Sequence, residues 1–177
     1  MKTRPLGNTG IEVSRLGFGA SALGGTFGPV DEADAIAAVH AALDCGINHF
    51  DVAPAYGGTR AETLLGKALR GIPRTHYHLA TKVGKHTNPA RYGDDVFDYS
   101  RERIRRSLDE SAARLGVDYF DIIHLHDLEY QSGRHVTQAL TEGFEAVTEL
   151  KYEGRTRAVG FGMYSMDLWH RVLETHP

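Results

Sequence analysis

Short apolar segments that end in polar or glycine residues alternate with amphipathic helical segments along this chain. The strand-like pieces are "SRLGFGAS" (14–21), "INHFD" (47–51), "YHLATK" (77–82), "YFDIIHLH" (119–126) and "RAVGFG" (157–162). After the first, Ile36, Val39 and Leu43 recur at helical spacing behind Asp31, an N-cap, and ahead of Gly46. Thr59 and Glu62 have capping-box spacing before Leu64, Leu65, Ala68 and Leu69, with Gly71 closing that helix. Ser100 caps a stripe of Ile104, Leu108, Ala112 and Leu115 that stops at Gly116. Leu140, Phe144, Val147 and Leu150 form the next stripe, stopping at Gly154, and 166–175 begins a fifth helix. A strand followed by a helix, repeated every 30 to 40 residues or so, is the pattern of parallel βαβ units.

Two architectures fit that pattern, a doubly wound sheet or a (β/α)8 TIM barrel. A doubly wound dinucleotide-binding sheet would open with GxGxxG, whereas the turn here reads "GFGASALGG". The barrel is the better fit, although a full one takes about 250 residues and eight units. The 177 residues are read as one domain. An N-terminal β-hairpin over 3–14, carried by "LGNTGIEV", precedes about five βα units over 15–177, roughly three-fifths of a barrel. A long loop through Asn88, Pro89, Gly93 and Asp94 interrupts the third unit. Such a part-barrel is expected to leave two strand edges unpaired and to self-associate through them.

The charge balance narrows the class of partner. Twenty Lys and Arg against 23 Asp and Glu give a net charge of −3, and the basic residues are spread out. Nucleic acid is therefore not an expected partner. No run approaches the ~18 apolar residues of a membrane span, and "MKTRPLGNTG" lacks the apolar core of a secretory signal. The single Cys45 fits a reducing, cytoplasmic setting and is read as a small buried hydrophobe.

In a barrel, reactive groups stand at the carboxyl ends of the strands. "DVAPAYGG" ends the second strand with Asp51 and places Tyr56 just beyond it, while Gly57 and Gly58 permit a tight loop. Lys82 ends the third strand and His126 the fourth. Lys82 discriminates best, because a lysine that closes an apolar strand is costly unless paired. A phenol with a pKa near 10 is a poor proton donor at neutral pH. A lysine beside it lowers that pKa, and a carboxylate on the lysine holds the ammonium in place. Tyr56 could then exchange a proton with a carbonyl or alcohol oxygen that His126 orients. Hydride transfer with a nicotinamide carrier is the reaction such a set suits.

"DVAPAYGG", "LATKVG" and "DIIHLHDLEY" resemble the aldo-keto reductases. "LGNTGIEVSRLGFGAS", "FGPVDEADA" and "HDLEY" are most similar to the L-galactose dehydrogenase group within them. The resemblance implies Tyr56 as proton donor, Lys82 as the neighbour that lowers its pKa, Asp51 as the lysine's anchor and His126 as substrate orienter. His124 is the wrong candidate for that last role. It also implies that Gly19, Ala20 and Ser21, with Asp51, lie against the nicotinamide of NAD or NADP. The implied substrate is a small sugar or other carbonyl compound. Many members end strand five with a Ser-Asn pair that holds the nicotinamide amide; this chain has Gly162 and Met163 there.

Two other readings stay open at this level. His124 and His126 face one side of a strand and could share a metal ion in a hydrolase, with a third ligand from His49 or Asp51, since Asp127 is expected to point the other way. The chain could also be a non-catalytic barrel fragment or binding module without the complete cofactor site, and the 177 residues alone are expected to show negligible turnover, because the resemblance places most of the cofactor contacts in the last strands and loops.

Overall fold

A computed structural model describes residues 1–87 and 95–175. The loop expected over Asn88, Pro89, Gly93 and Asp94 lies outside the described residues. The chain opens with an antiparallel hairpin, β1 (Thr3–Pro5) and β2 (Glu12–Ser14), as its turn residues predict. β3 (Phe18–Gly19), β4 (His49–Asp51), β5 (His78–Val83), β8 (Phe120–His126) and β9 (Thr156–Gly162) form one sheet in the order β3-β4-β5-β8-β9. Every neighbouring pair in it is parallel. The helices between them are α1 (Glu32–Asp44), α2 (Arg60–Leu69) and α3 (Arg101–Leu115), then α4 (Val136–Gln138), a π-helical turn over Ala139–Gly143 and α5 (Phe144–Tyr152), and finally α6 (Met166–Thr175). These are βα units of a TIM-type barrel.

Caps explain most of the boundaries. Asp31 accepts from the Ala33 amide at 2.7 Å and Ser100 from the Arg103 amide, so α1 and α3 start where the sequence predicts. The capping box expected of Thr59 and Glu62 does not form. Thr59 has φ +74°, a left-handed conformation that an N-cap with extended backbone excludes. Glu62 is instead fully buried, accepting from Thr81 Oγ1 at 2.8 Å and from Arg114 Nε at 2.7 Å. Cys45 is exposed at the end of α1, not buried as expected. The first strand is also shorter than its apolar run, because the chain turns into a 3-10 helix over Ala20–Gly24.

Alternation along the strands sorts side chains into two cores. Phe50, Leu79, Val83, Ile123, Leu125 and Phe161 pack outward under the helices. Ala80, Ile122 and Ala158 face inward and are covered by Ile11 and Val13 of the hairpin. The hairpin thus closes the amino end of the inner face and leaves the carboxyl ends of the strands as the open rim. β6 (Lys85–Thr87) and β7 (Asp95–Phe97) form a second hairpin at that rim, within the stretch read as a single loop. Among the described residues, no helix is long and apolar enough to cross a membrane.

Candidate active site

Strand register brings three of the four candidate groups to one place. Asp51 ends β4, Lys82 stands one residue before the end of β5 and His126 ends β8. Lys82 Nζ donates to Asp51 Oδ2 at 2.6 Å and to the Val52 carbonyl at 3.1 Å. Its side chain is 8% exposed, so the ion pair is what keeps a charge tolerable at the end of this apolar strand. Tyr56 comes from the loop after β4, where Gly57, Gly58 and Thr59 all have positive φ and turn the chain back toward the rim. The Lys82 ammonium lies 4.8 Å from the centroid of the Tyr56 ring. That ring meets His126 edge-on, with centroids 5.9 Å apart.

Burial raises the pKa of the Tyr56 phenol, and Lys82 pulls against it without reversing the shift, while Asp51 adds to the rise. The lysine thus acts in the predicted sense, and desolvation outweighs it. Burial, reinforced by Lys82 and Lys85, holds His126 well below its ordinary pKa. The imidazole is neutral at physiological pH, with one nitrogen a donor and the other an acceptor. Its backbone is held as well, because the buried Tyr99 hydroxyl donates to the His126 carbonyl. Room for the Tyr99 ring comes from Gly84, where a Cβ would lie 2.2 Å from it.

His124 occupies the same inner face one step lower, against Gly160, with burial depressing its pKa to about 4. Among the described residues no group of three or more His, Cys, Asp and Glu converges as a metal site, so the His124–His126 pair finds no third ligand there. Gly19 pairs in register with Asp51, and nothing lies within 4 Å of where its Cβ would be. Ala20 is fully buried, backbone included, and so does not present the ligand surface expected of it. Ser21 is half-buried, and its carbonyl accepts from Thr26 Oγ1 at 2.9 Å.

The rim also carries groups that the strand pattern did not disclose. Asp127, expected to point away, has φ +54°, and this left-handed turn brings its carboxylate back into the mouth. Its Oδ2 accepts from Lys85 Nζ at 2.8 Å, and Lys85 reaches Asp95 Oδ2 at 3.1 Å. Tyr56, His126, Asp127, Lys85, Thr87 and Asp95 line a cavity of about 270 Å³. A roomier depression of about 540 Å³ lies on the other side of the molecule, around Arg70–Arg74 and Leu115–Tyr119. Two of its arginines are taken up by buried carboxylates, Arg74 by Asp121 and Arg114 by Glu62, which marks it as a structural seam.

The buried histidines give the fold a pH dependence of definite sign. His49, His86, His124 and His126 all have pKa values below 6.5, those of His86 and His124 being about 4, and burial is the leading cause in each. Unfolded chains bind these protons more readily, so stability is present above about pH 6.5 and is lost as pH falls toward 4. Asp127, raised by burial, acts in the opposite sense. With the four buried histidines acting together, the melting temperature is expected to drop by at least about 5 °C between pH 7 and pH 4.5. A calorimetric melting temperature that stays flat over that interval would contradict this account.

A parallel βα sheet with its amino end closed by a hairpin and its reactive groups at the carboxyl rim defines a TIM-type α/β protein. A profile of the Aldo/keto reductase family matches residues 15–177, and the chain belongs to that family. L-galactose dehydrogenase of Arabidopsis thaliana is 46% identical over 179 residues, a match that covers 100% of this chain and 53% of that protein. Pyridoxal 4-dehydrogenase of Microbacterium luteolum is 37% identical, covering 97% of this chain and 58% of that one. The structure of an aldo-keto reductase from Bacillus halodurans in its holo form superposes with a TM-score of 0.85 at 33% identity, covering 98% of this chain and 54% of that one. The chain thus spans about half the length of the curated relatives it matches.

Proposed function

We propose that a protein carrying this chain is an NAD(P)-dependent oxidoreductase acting on an aldose or another small carbonyl or alcohol. The observation that carries this reading is the Lys82 ammonium, bonded to Asp51 at 2.6 Å and set 4.8 Å from the centroid of the Tyr56 ring beside His126. A nicotinamide cofactor, when bound, supplies or takes up the hydride at the reacting carbon. The bare backbone of Gly19, open on its inner side beside Asp51, leaves room for a flat ring. Gly19, Ser21 and the Asp51 carboxylate would hold that end of the cofactor.

In the reductive direction Tyr56 gives its phenolic proton to the carbonyl oxygen, and in the oxidative direction it takes the alcohol proton. Lys82 stabilises the phenolate formed in the first case, and Asp51 keeps that lysine charged and in place. Neutral His126 donates a hydrogen bond to the same oxygen and fixes its direction. The 46% identity to an L-galactose dehydrogenase supports an aldose over other carbonyl compounds. The cytoplasm is the compartment we propose, since an exposed cysteine suits a reducing setting. Association between copies would use the outer edges of β3 and β9, which pair with no further strand among the described residues.

Trp169 packs near the end of β9, its indole N–H donating to the Met163 carbonyl at 3.3 Å, and reports on the rim. Saturable quenching of its fluorescence by NAD or NADP is expected, together with an aldose-dependent change in nicotinamide absorbance. Quenching without turnover of any aldose, aldehyde or alcohol would leave a dinucleotide-binding module. The absence of both signals would overturn the reading.

A further inference from the structure

Asp127 and Lys85 form a second buried ion pair on the rim, and the proton-transfer set makes no use of it. Their side chains are 6% and 11% exposed. Two charges held this far from water are no more stable than a well-packed apolar pair of similar size. Asp127 also sits in a left-handed backbone conformation that a non-glycine residue adopts only where its surroundings enforce it. Strain and desolvation together mark a place where something other than stability is served.

What the pair leaves unspent shows what that could be. Asp127 Oδ2 accepts from Lys85, whereas among the described residues Oδ1 has no hydrogen bond; it lies 3.6 Å from His126 Nε2, beyond hydrogen-bond reach. Lys85 commits two of its three N–H groups, one to Asp127 and one to Asp95, and its Nζ lies 4.4 Å from the centroid of the Tyr130 ring. A strong acceptor and a strong donor therefore stand side by side at the wall of the same cavity that Tyr56 and His126 line. A hydroxyl group is both donor and acceptor, and neighbouring hydroxyls on a sugar can satisfy both at once. The cavity, about 270 Å³, amounts to on the order of nine water volumes, room for one monosaccharide unit rather than a chain of them.

We propose that the Asp127–Lys85 pair binds hydroxyl groups of the substrate next to its reacting carbon, and so restricts this site to polyhydroxylated carbonyl compounds of the aldose class. The proposal rests on the reductase reading for what happens to the bound sugar, but not for the binding itself. Asp127 and Lys85 are specificity residues: they touch the substrate at carbons that do not react. Asp127 lies only 3.6 Å from His126, so the hydroxyl it accepts from belongs to a carbon adjoining the one whose oxygen Tyr56 and His126 hold.

The test is calorimetric titration of the chain with L-galactose and, separately, with cyclohexanecarbaldehyde, which has a similar ring and no hydroxyl groups. Asp127→Asn is the first variant. Asparagine tolerates the left-handed backbone and preserves the shape, so the fold should survive, which circular dichroism checks. Lys85→Gln is the second, approaching the pair from its other side. Each variant is expected to weaken L-galactose by about tenfold or more, the usual loss with a charge-assisted hydrogen bond, and to leave the weak affinity for the aldehyde within about twofold. Equal sugar affinity in wild type and both variants would overturn the proposal. So would parallel weakening of sugar and aldehyde, which would mean a distorted cavity, or the absence of saturable sugar binding by the wild type. Sugar binding that depends on Asp127, in a protein that transfers no hydride, would keep this proposal and defeat the reductase reading. Hydride transfer to aldoses with an affinity indifferent to Asp127 would do the reverse.

Discussion

Replacing Tyr56 with phenylalanine is expected to lower kcat for carbonyl reduction by about 10²–10⁴-fold, with KM changed by no more than a few-fold. The substitution removes one hydroxyl and keeps the ring that His126 meets edge-on and that Lys82 faces at 4.8 Å. Packing around the half-buried ring is therefore preserved, and a loss of rate reads the proton and not the fold. Dinucleotide affinity, followed by Trp169 fluorescence, should be unaltered. A Tyr56→Phe variant that retains more than about a tenth of wild-type kcat would remove Tyr56 from the proton-transfer role, given the magnitude expected of a positioned general acid.

Gly57→Ala should have the largest effect on the fold of any substitution near the site. At Gly57, φ is +63°, and a Cβ would lie 2.1 Å from the Gly24 carbonyl oxygen and 2.6 Å from Gly24 Cα. Gly24 meets the same obstacle from its side, with the Tyr56 carbonyl carbon 2.7 Å from its own Cβ position. Two backbones touch here with no side chain between them, so neither can move aside as a flexible side chain would. The expected loss is about 2–4 kcal/mol, or roughly 5–15 °C in melting temperature, from left-handed strain and overpacking together. Gly71→Ala is the comparison: φ is +82° but nothing lies within 4 Å, so only the strain of about 1–2 kcal/mol applies. Equal destabilisation by the two would show that the Gly24 contact is not the constraint. Because Gly57 follows Tyr56 directly, the variant should also lose activity beyond its loss of stability.

Most of the sheet, and the rim that carries the candidate site, could be read from residues alone, because both depend on local rules. An apolar run such as "DIIHLH" can alternate only one way along a strand, and a lysine closing "HLATKV" needs a partner wherever it emerges. Asp51, Lys82 and His126 could be placed at the strand ends for that reason, with Tyr56 just beyond Asp51, whereas the preference for His126 over His124 came from the family resemblance, since both face one side of the same strand. Asp127 was not, since its inward turn depends on a positive φ that aspartate adopts only occasionally. Lys85 and Asp95 were missed with it, because β6 and β7 are short, polar strands that carry no period long enough to detect. Glu62 and Thr59 show the converse error. Their spacing suited a capping box, but Arg114, 52 residues further on, offered Glu62 a stronger partner, and the tyrosine loop imposed its own backbone on Thr59.

The rim ion pairs Lys82–Asp51, Lys85–Asp127 and Lys85–Asp95 all join residues within the stretch from Asp51 to Asp127. Tyr56 and His126 fall in the same interval, as does Tyr99, whose hydroxyl holds the His126 carbonyl. A crossover made beyond β9 would sever none of these bonds and strand no buried charge. Recombination there would exchange whatever follows β9 while the segment proposed to handle the proton travels intact, which makes this stretch a transferable cassette in the construction of chimeric aldo-keto reductase barrels.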